Sequence, residues 1–156
     1  MATFVIVGAS LAGAKAAEEL RTQGFDGDIV LIGAETERPY ERPPLSKGYL
    51  AGSADLDSAF VHPTDWYGQH DVNLRTGVTV TAVDRDAKKV HADDGSSVRY
   101  DKLLLTTGSV VRRIPGTEID GVHYLRTAAD ATALRSAFAA ARSVVVVGGG
   151  WIGLET

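Results

Sequence analysis

Two glycine-rich hexapeptides have the residue types and spacing to cradle a phosphate group. Gly8-Ala9-Ser10-Leu11-Ala12-Gly13 stands near the start of the chain and Gly148-Gly149-Gly150-Trp151-Ile152-Gly153 near its end. Each follows a run rich in β-branched residues, Thr3 to Val7 and Ser143 to Val147, which predicts a buried parallel strand that turns sharply into a helix. In such a turn the first glycine permits the bend and the middle small residue lets backbone N–H groups approach a pyrophosphate. The third glycine lets helix and strand pack closely. Ser10 at the middle position is small and can itself hydrogen-bond a phosphate oxygen.

The elements that must position the first turn follow in order. Ala14 to Leu20 read as a helix that Gly24 can end, and Asp28 to Ile32 read as a second buried strand, completing a βαβ unit. Glu35 falls just beyond that strand, where an acidic side chain can accept hydrogen bonds from the hydroxyls of an adenosine ribose. Strand, turn, helix, strand and acid in this sequence predict a dinucleotide site rather than a merely structural turn.

The next segment, Arg38-Pro39-Tyr40-Glu41-Arg42-Pro43-Pro44-Leu45-Ser46-Lys47, has too many prolines for a central strand. It predicts an extended loop feeding a short helix near Leu45 to Leu50. A second short helix is expected from Thr64-Asp65, ending before Val72. From Val78 to Tyr100 short alternating strands with turns at Asp86-Ala87-Lys88 and Asp94-Gly95 predict an antiparallel meander, and Asp93 and Asp94 read as turn formers rather than paired acids. Leu103-Leu104-Leu105 returns to the buried sheet, with Thr106-Thr107-Gly108 at its carboxyl end. Thr127 to Arg142 reads as a helix with Thr127 as its cap. The boundary falls in the irregular Ile114-Pro115-Gly116 connection: residues 1–115 form one domain, and residues 116–156 form the connection, helix, strand and glycine turn that begin a second. The expected fold class is α/β: a Rossmann-like parallel sheet with helices on both faces and a small antiparallel meander, followed by the truncated start of a second Rossmann-like domain.

Composition narrows the chemistry. The 156 residues are 44% hydrophobic and 23% charged, with a net charge of −4 and scattered basic residues, which speaks against a nucleic-acid partner. No apolar run is long enough to span a bilayer, and the first residues lack the pattern of a signal peptide, so the expected location is cytoplasmic, without a membrane partner. The chain has no cysteine, hence no disulfide framework, thiolate metal site or dithiol redox pair in this stretch. His62, His70, His91 and His123 lack metal-ligand spacing, and no metal is expected.

These motifs together resemble the FAD-dependent pyridine-nucleotide oxidoreductases, and within them the ferredoxin or rubredoxin reductases that use NAD(P)H. The resemblance runs along the whole chain. It is carried most specifically by Arg42-Pro43-Pro44-Leu45-Ser46-Lys47, with Thr106-Thr107-Gly108 and Gly148 to Glu155 in support. Disulfide-reducing relatives carry a redox cysteine pair after the first βαβ unit; prolines and Lys47 stand there instead, which implies that electrons leave the flavin directly.

The resemblance implies FAD and NAD(P)H as cofactors and a ferredoxin or rubredoxin-type iron–sulfur protein as partner. It places the FAD pyrophosphate on Gly8, Ala9, Ser10, Leu11, Ala12 and Gly13, and the ribose on Glu35. Arg42 and the catalytic Lys47 would meet the flavin, Lys47 stabilising the negative charge that arrives with hydride. Arg42 has an alternative as a salt-bridge partner of Glu41 or Glu35, and Lys47 as a solvated lysine. Val80 would meet the adenine through its backbone, or be a plain core valine. Thr107 and Gly108 would pass close to the cofactor and Arg112 would point to its phosphates, although Val111 replaces the proline usual there; an exposed basic pair with Arg113 is the alternative. Gly148, Gly150 and Gly153 would hold NAD(P)H, and Trp151 reads as a packing residue.

The same resemblance implies a fragment of a longer enzyme, inactive by itself. Val144 to Val147, lacking sheet neighbours, would be disordered, packed back or paired with another copy. An NADH oxidase, an apoptosis-inducing-factor-like reductase and a non-catalytic nucleotide-binding module are the competing readings.

Overall fold

The computed structural model describes all residues from Met1 to Thr156. They form two compact units: residues 1–40 with 60–108, and residues 41–59 with 109–156. The strands in chain order are β1 (Thr3–Val7), β2 (Asp28–Ile32), β3 (Val72–Arg75), β4 (Val80–Asp84), β5 (Lys89–Ala92), β6 (Ser97–Arg99) and β7 (Lys102–Leu105), all in the first unit.

Four of these strands make a parallel sheet in the order β3-β2-β1-β7. Val7 pairs with Ile32 on one side and Leu105 on the other, and Ile32 with Arg75, so the carboxyl ends of all four strands finish along one edge. β1 and β2 are apolar on both faces because both faces are covered. On one face Ile6, Ile29 and Leu31 pack with Ala17 of the first helix, Leu11–Thr22, and with Tyr67 of the short helix Trp66–Gln69. On the other, Val5, Val7, Val30 and Ile32 pack with Val90 and Tyr100, so the β4-β5-β6 meander closes the second face. The mixed α/β architecture, parallel sheet and meander agree with expectation; the helical layer of this unit lies on one face.

Particular local readings agree as well. Gly24 follows the first helix with φ +79°, and Lys88 and Gly95 take left-handed conformations in the two meander turns. Asp94 acts as a turn carboxylate, accepting from the Ser96 N–H at 2.9 Å, whereas Asp93 accepts from the Thr79 N–H at 2.9 Å across the meander rather than within the turn. The strand β3 is not foreseen from sequence, because four residues alternating Val-Asn-Leu-Arg give too short a pattern to separate from the end of the helix before it. β7 is in the sheet but at its edge, leaving Leu104 and Leu105 exposed.

In the second unit, the helix Ala128–Ala140 opens on a capping box. The Thr127 hydroxyl accepts from the Asp130 N–H, and the Asp130 carboxylate accepts from the Thr127 N–H at 2.8 Å. Pro43–Ser46 form one 3₁₀ turn, followed by the short helix Gly48–Ala51, which Gly52 ends at φ +75°. The Tyr49 hydroxyl meets Thr132 Oγ1 at 2.7 Å and ties this segment to the long helix. The run Val144 to Val147 departs from the expected buried strand: it joins no sheet, and its side chains are between 51% and 86% exposed. Valine propensity by itself does not make a strand, which needs a partner ladder, and no strand of this chain supplies one.

Candidate functional site

The first glycine turn is built by contacts from both neighbouring strands. Gly8 sits at φ +115°, and its N–H donates to Ile32 O at 2.8 Å. A Cβ there would lie 2.1 Å from Thr106 O, so only glycine fits. Thr106 braces the turn twice: its N–H donates to Val7 O at 2.7 Å and its hydroxyl to Gly8 O at 2.8 Å. At Gly13 a Cβ would lie 2.1 Å from Gly8 O and 3.0 Å from Leu31 Cδ1, which is the close helix-to-strand approach the third glycine permits. Ser10 precedes the helix without a side-chain cap bond, while Leu11 and Ala12 are exposed. The first-turn N–H groups of a twelve-residue helix thus face outward at the positive end of its dipole, an arrangement that suits an anion.

Glu35 emerges at the same edge. A Cβ on Gly33 would lie 2.5 Å from Ala9 Cβ, so the exit of β2 presses against the glycine turn. Beyond it, Glu35 O accepts from Gly77 N–H at 2.8 Å, and the Glu35 carboxylate accepts from the Tyr40 hydroxyl. An acidic side chain just past one strand and a helix N-terminus just past its parallel neighbour form the arrangement that receives the ribose and pyrophosphate of a dinucleotide.

The other expected residues of this unit are more dispersed. Val80, half-buried at the start of β4, packs against the core face formed by Val5, Val7 and Val30. Thr107 and Gly108 follow β7 in exposed chain, Gly108 at φ +68°. A groove of about 390 Å³ beside Phe4, Ile6, Ala16, Leu20 and Leu104 is apolar and holds none of the candidate residues.

The second unit brings together charged residues distant in sequence. Lys47 Nζ lies 2.8 Å from Glu155 Oε1, and the Ser46 hydroxyl donates to Glu155 Oε2 at 2.7 Å. The hydrogen bond from Lys47, then that from Ser46, holds the Glu155 carboxyl below its ordinary range. Arg42 Nη1 donates to Arg126 O at 2.6 Å, and Arg42, Ser46, Leu125, Arg126 and Ile152 line a cavity of about 40 Å³. Arg126 Nε is buried there without a hydrogen-bond partner, a donor set for an acceptor group. Arg112 is exposed, and its neighbour Arg113 lies over the Tyr124 ring at 5.0 Å.

The second glycine turn repeats the geometry of the first. Gly148 takes φ +110°, Gly150 precedes the helix Trp151–Glu155, and a Cβ on Gly153 would lie 2.4 Å from Gly148 O. Trp151 is 84% exposed. Sequence reasoning left Thr106, Ser46, Arg126 and Glu155 without site roles. The proximity of Arg126 to the Thr127 cap is a weak signal, and the partnership of Glu155 with Lys47 leaves none in local sequence.

This geometry agrees with what the chain is similar to. Residues 2–156 match the pyridine nucleotide-disulphide oxidoreductase family model, and the chain belongs to that family. It is 44% identical to rhodocoxin reductase of Rhodococcus erythropolis, over 98% of this chain and 36% of that protein. It is 49% identical to the anthranilate 1,2-dioxygenase system ferredoxin–NAD(+) reductase component of Burkholderia cepacia, over 97% of this chain and 38% of that protein. Among solved structures it resembles the reductase in the covalent putidaredoxin reductase–putidaredoxin complex, with a TM-score of 0.94 at 41% identity, over 99% of this chain and 38% of the other. The chain therefore spans little more than a third of the length of these relatives.

Proposed function

We propose that the chain is the nucleotide-binding part of a flavoprotein reductase that takes hydride from NAD(P)H onto FAD and passes electrons singly to a ferredoxin or rubredoxin-type iron–sulfur protein. The observation that carries this reading is the Gly8 turn with Glu35 just past the end of the adjacent parallel strand, a cradle in which a Cβ at position 8 would lie 2.1 Å from Thr106 O. The relatives support it: one is a ferredoxin–NAD(+) reductase component, and another is a reductase solved in complex with putidaredoxin.

FAD, when bound, supplies the hydride-accepting and single-electron chemistry. The residues of this chain bind and orient. N–H groups from Gly8 to Gly13 meet the pyrophosphate, Glu35 accepts from the ribose hydroxyls, and Thr107, Gly108, Val80 and Arg112 complete the cofactor contacts. In the second unit Lys47 provides a positive charge whose position Glu155 and Ser46 fix, and Arg42 and Arg126 supply further donors. Gly148, Gly150 and Gly153 hold the pyrophosphate of NAD(P)H. The division into an FAD-binding stretch, 1–115, and the beginning of an NAD(P)H-binding stretch, 116–156, is part of this proposal, as is a cytoplasmic location.

The test uses the protein in its full natural length, with FAD bound, in assays of NADH- and NADPH-dependent electron transfer to a ferredoxin and to oxygen. Ferredoxin-dependent turnover is expected. Rapid oxygen reduction indifferent to ferredoxin would overturn the reading in favour of an oxidase.

A further inference from the structure

We infer that Tyr40 is a positioning residue: its buried hydroxyl presets the Glu35 carboxylate for the adenosine ribose, an inference that rests on the FAD reading above. Glu35 lies on a loop after β2, and a glutamate side chain there has several rotatable bonds. Its backbone carbonyl is fixed by Gly77 N–H at 2.8 Å, and its carboxylate by the Tyr40 hydroxyl.

Tyr40 is itself held rigidly. It is 3% exposed, and its ring meets Phe60 edge to face, with centroids 6.5 Å apart at 86°. The Arg38 guanidinium covers the Phe60 ring at 3.4 Å. Segments 38–40 and 60–62 are stitched by the Tyr40–Phe60 bridge, by Val61 N–H to Pro39 O at 2.9 Å and by Arg38 Nε to His62 O at 3.2 Å. The His62 ring that ends this stitch stacks on Trp66 at 3.8 Å. A phenol fixed in this way donates its one proton along one direction and holds the acceptor oxygen of the carboxylate at one place. Holding that oxygen before the ligand arrives removes part of the ordering cost from binding, so affinity for a ribose rises without any contact between Tyr40 and the ligand.

The experiment compares wild type, Tyr40→Phe, Glu35→Ala and the double variant, in full natural length, by titration of the cofactor-free protein with FAD, ADP and FMN. Phenylalanine keeps the ring packing, alanine removes the acceptor that a glutamine would retain, and thermal unfolding of each cofactor-free variant verifies the fold. Tyr40→Phe is expected to weaken FAD and ADP binding by roughly fivefold to tenfold, the range of one hydrogen bond. FMN, which lacks the adenosine, should bind unchanged, and the double variant should bind like Glu35→Ala alone. Equal losses for FMN and FAD, or a Tyr40→Phe effect that persists in the Glu35→Ala background, would overturn the positioning role. If Glu35→Ala leaves FAD and ADP affinity unchanged, the ribose reading itself falls and this inference with it.

Discussion

Lys47 and Glu155, 108 positions apart in sequence, form an ion pair at 2.8 Å, with Ser46 donating to the second carboxylate oxygen. The pair ties the loop of the proline-rich motif to the helix that follows the second glycine turn, so these two motifs share one charge arrangement. Lys47 stays half exposed while anchored, which leaves its ammonium accessible at a fixed place.

Lys47→Met is expected to slow NAD(P)H-dependent flavin reduction by about a hundredfold, the scale seen when one preorganised donor to a developing negative charge is removed. Stopped-flow absorbance of the FAD-loaded, full-length protein measures it. An unchanged rate would return Lys47 to the role of a solvated surface lysine. Glu155→Gln should give a smaller loss, because it releases the ammonium without removing it.

The two first glycines should respond differently to the same substitution. Gly8→Ala places a methyl against the Thr106 carbonyl at φ +115°, and we expect a loss of about 3 kcal/mol in denaturant unfolding. Gly148→Ala meets no atom within 4 Å at φ +110°, so only backbone strain of about 1 kcal/mol remains. Equal costs would show that packing at the first turn is looser than the structure has it.

Stability should fall as pH drops below about 6.5, the ordinary histidine value. Burial lowers the pKa of His62 between Trp66 and the first helix; Glu18 opposes that shift, while Lys15 and His70 add to it. A folded-state pKa below the unfolded one means that the unfolded chain binds the proton first, so stability present above 6.5 is lost as pH falls through the folded value. Urea midpoints measured from pH 7.5 to 5 check this, and His62→Phe should flatten the dependence in that window.

Tyr67→Phe is expected to raise stability by about 1 kcal/mol. The Tyr67 hydroxyl is buried without a hydrogen-bond partner, and burial pushes its pKa up to about 12. Thermal and urea unfolding measure the change; a loss of stability would reveal a partner for the hydroxyl that the packing hides.

Local sequence determined a good deal of this protein. The βαβ unit, its glycine turn, the meander turns at Lys88 and Gly95 and the Thr127 cap were all legible, because each follows from backbone conformations and hydrogen bonds made within a few residues. Glu35 was legible for the same reason, since its place is counted from the end of one strand. What the sequence left open depends on partners far along the chain. Thr106 bracing Gly8, Tyr40 steadying Glu35 through a stitched second segment, and Glu155 closing on Lys47 come from folding, which brings distant segments together. The same limit explains Val144 to Val147 and Leu105: residue type gives a tendency to extend, but burial comes from neighbouring strands and layers, which only the tertiary structure supplies or withholds.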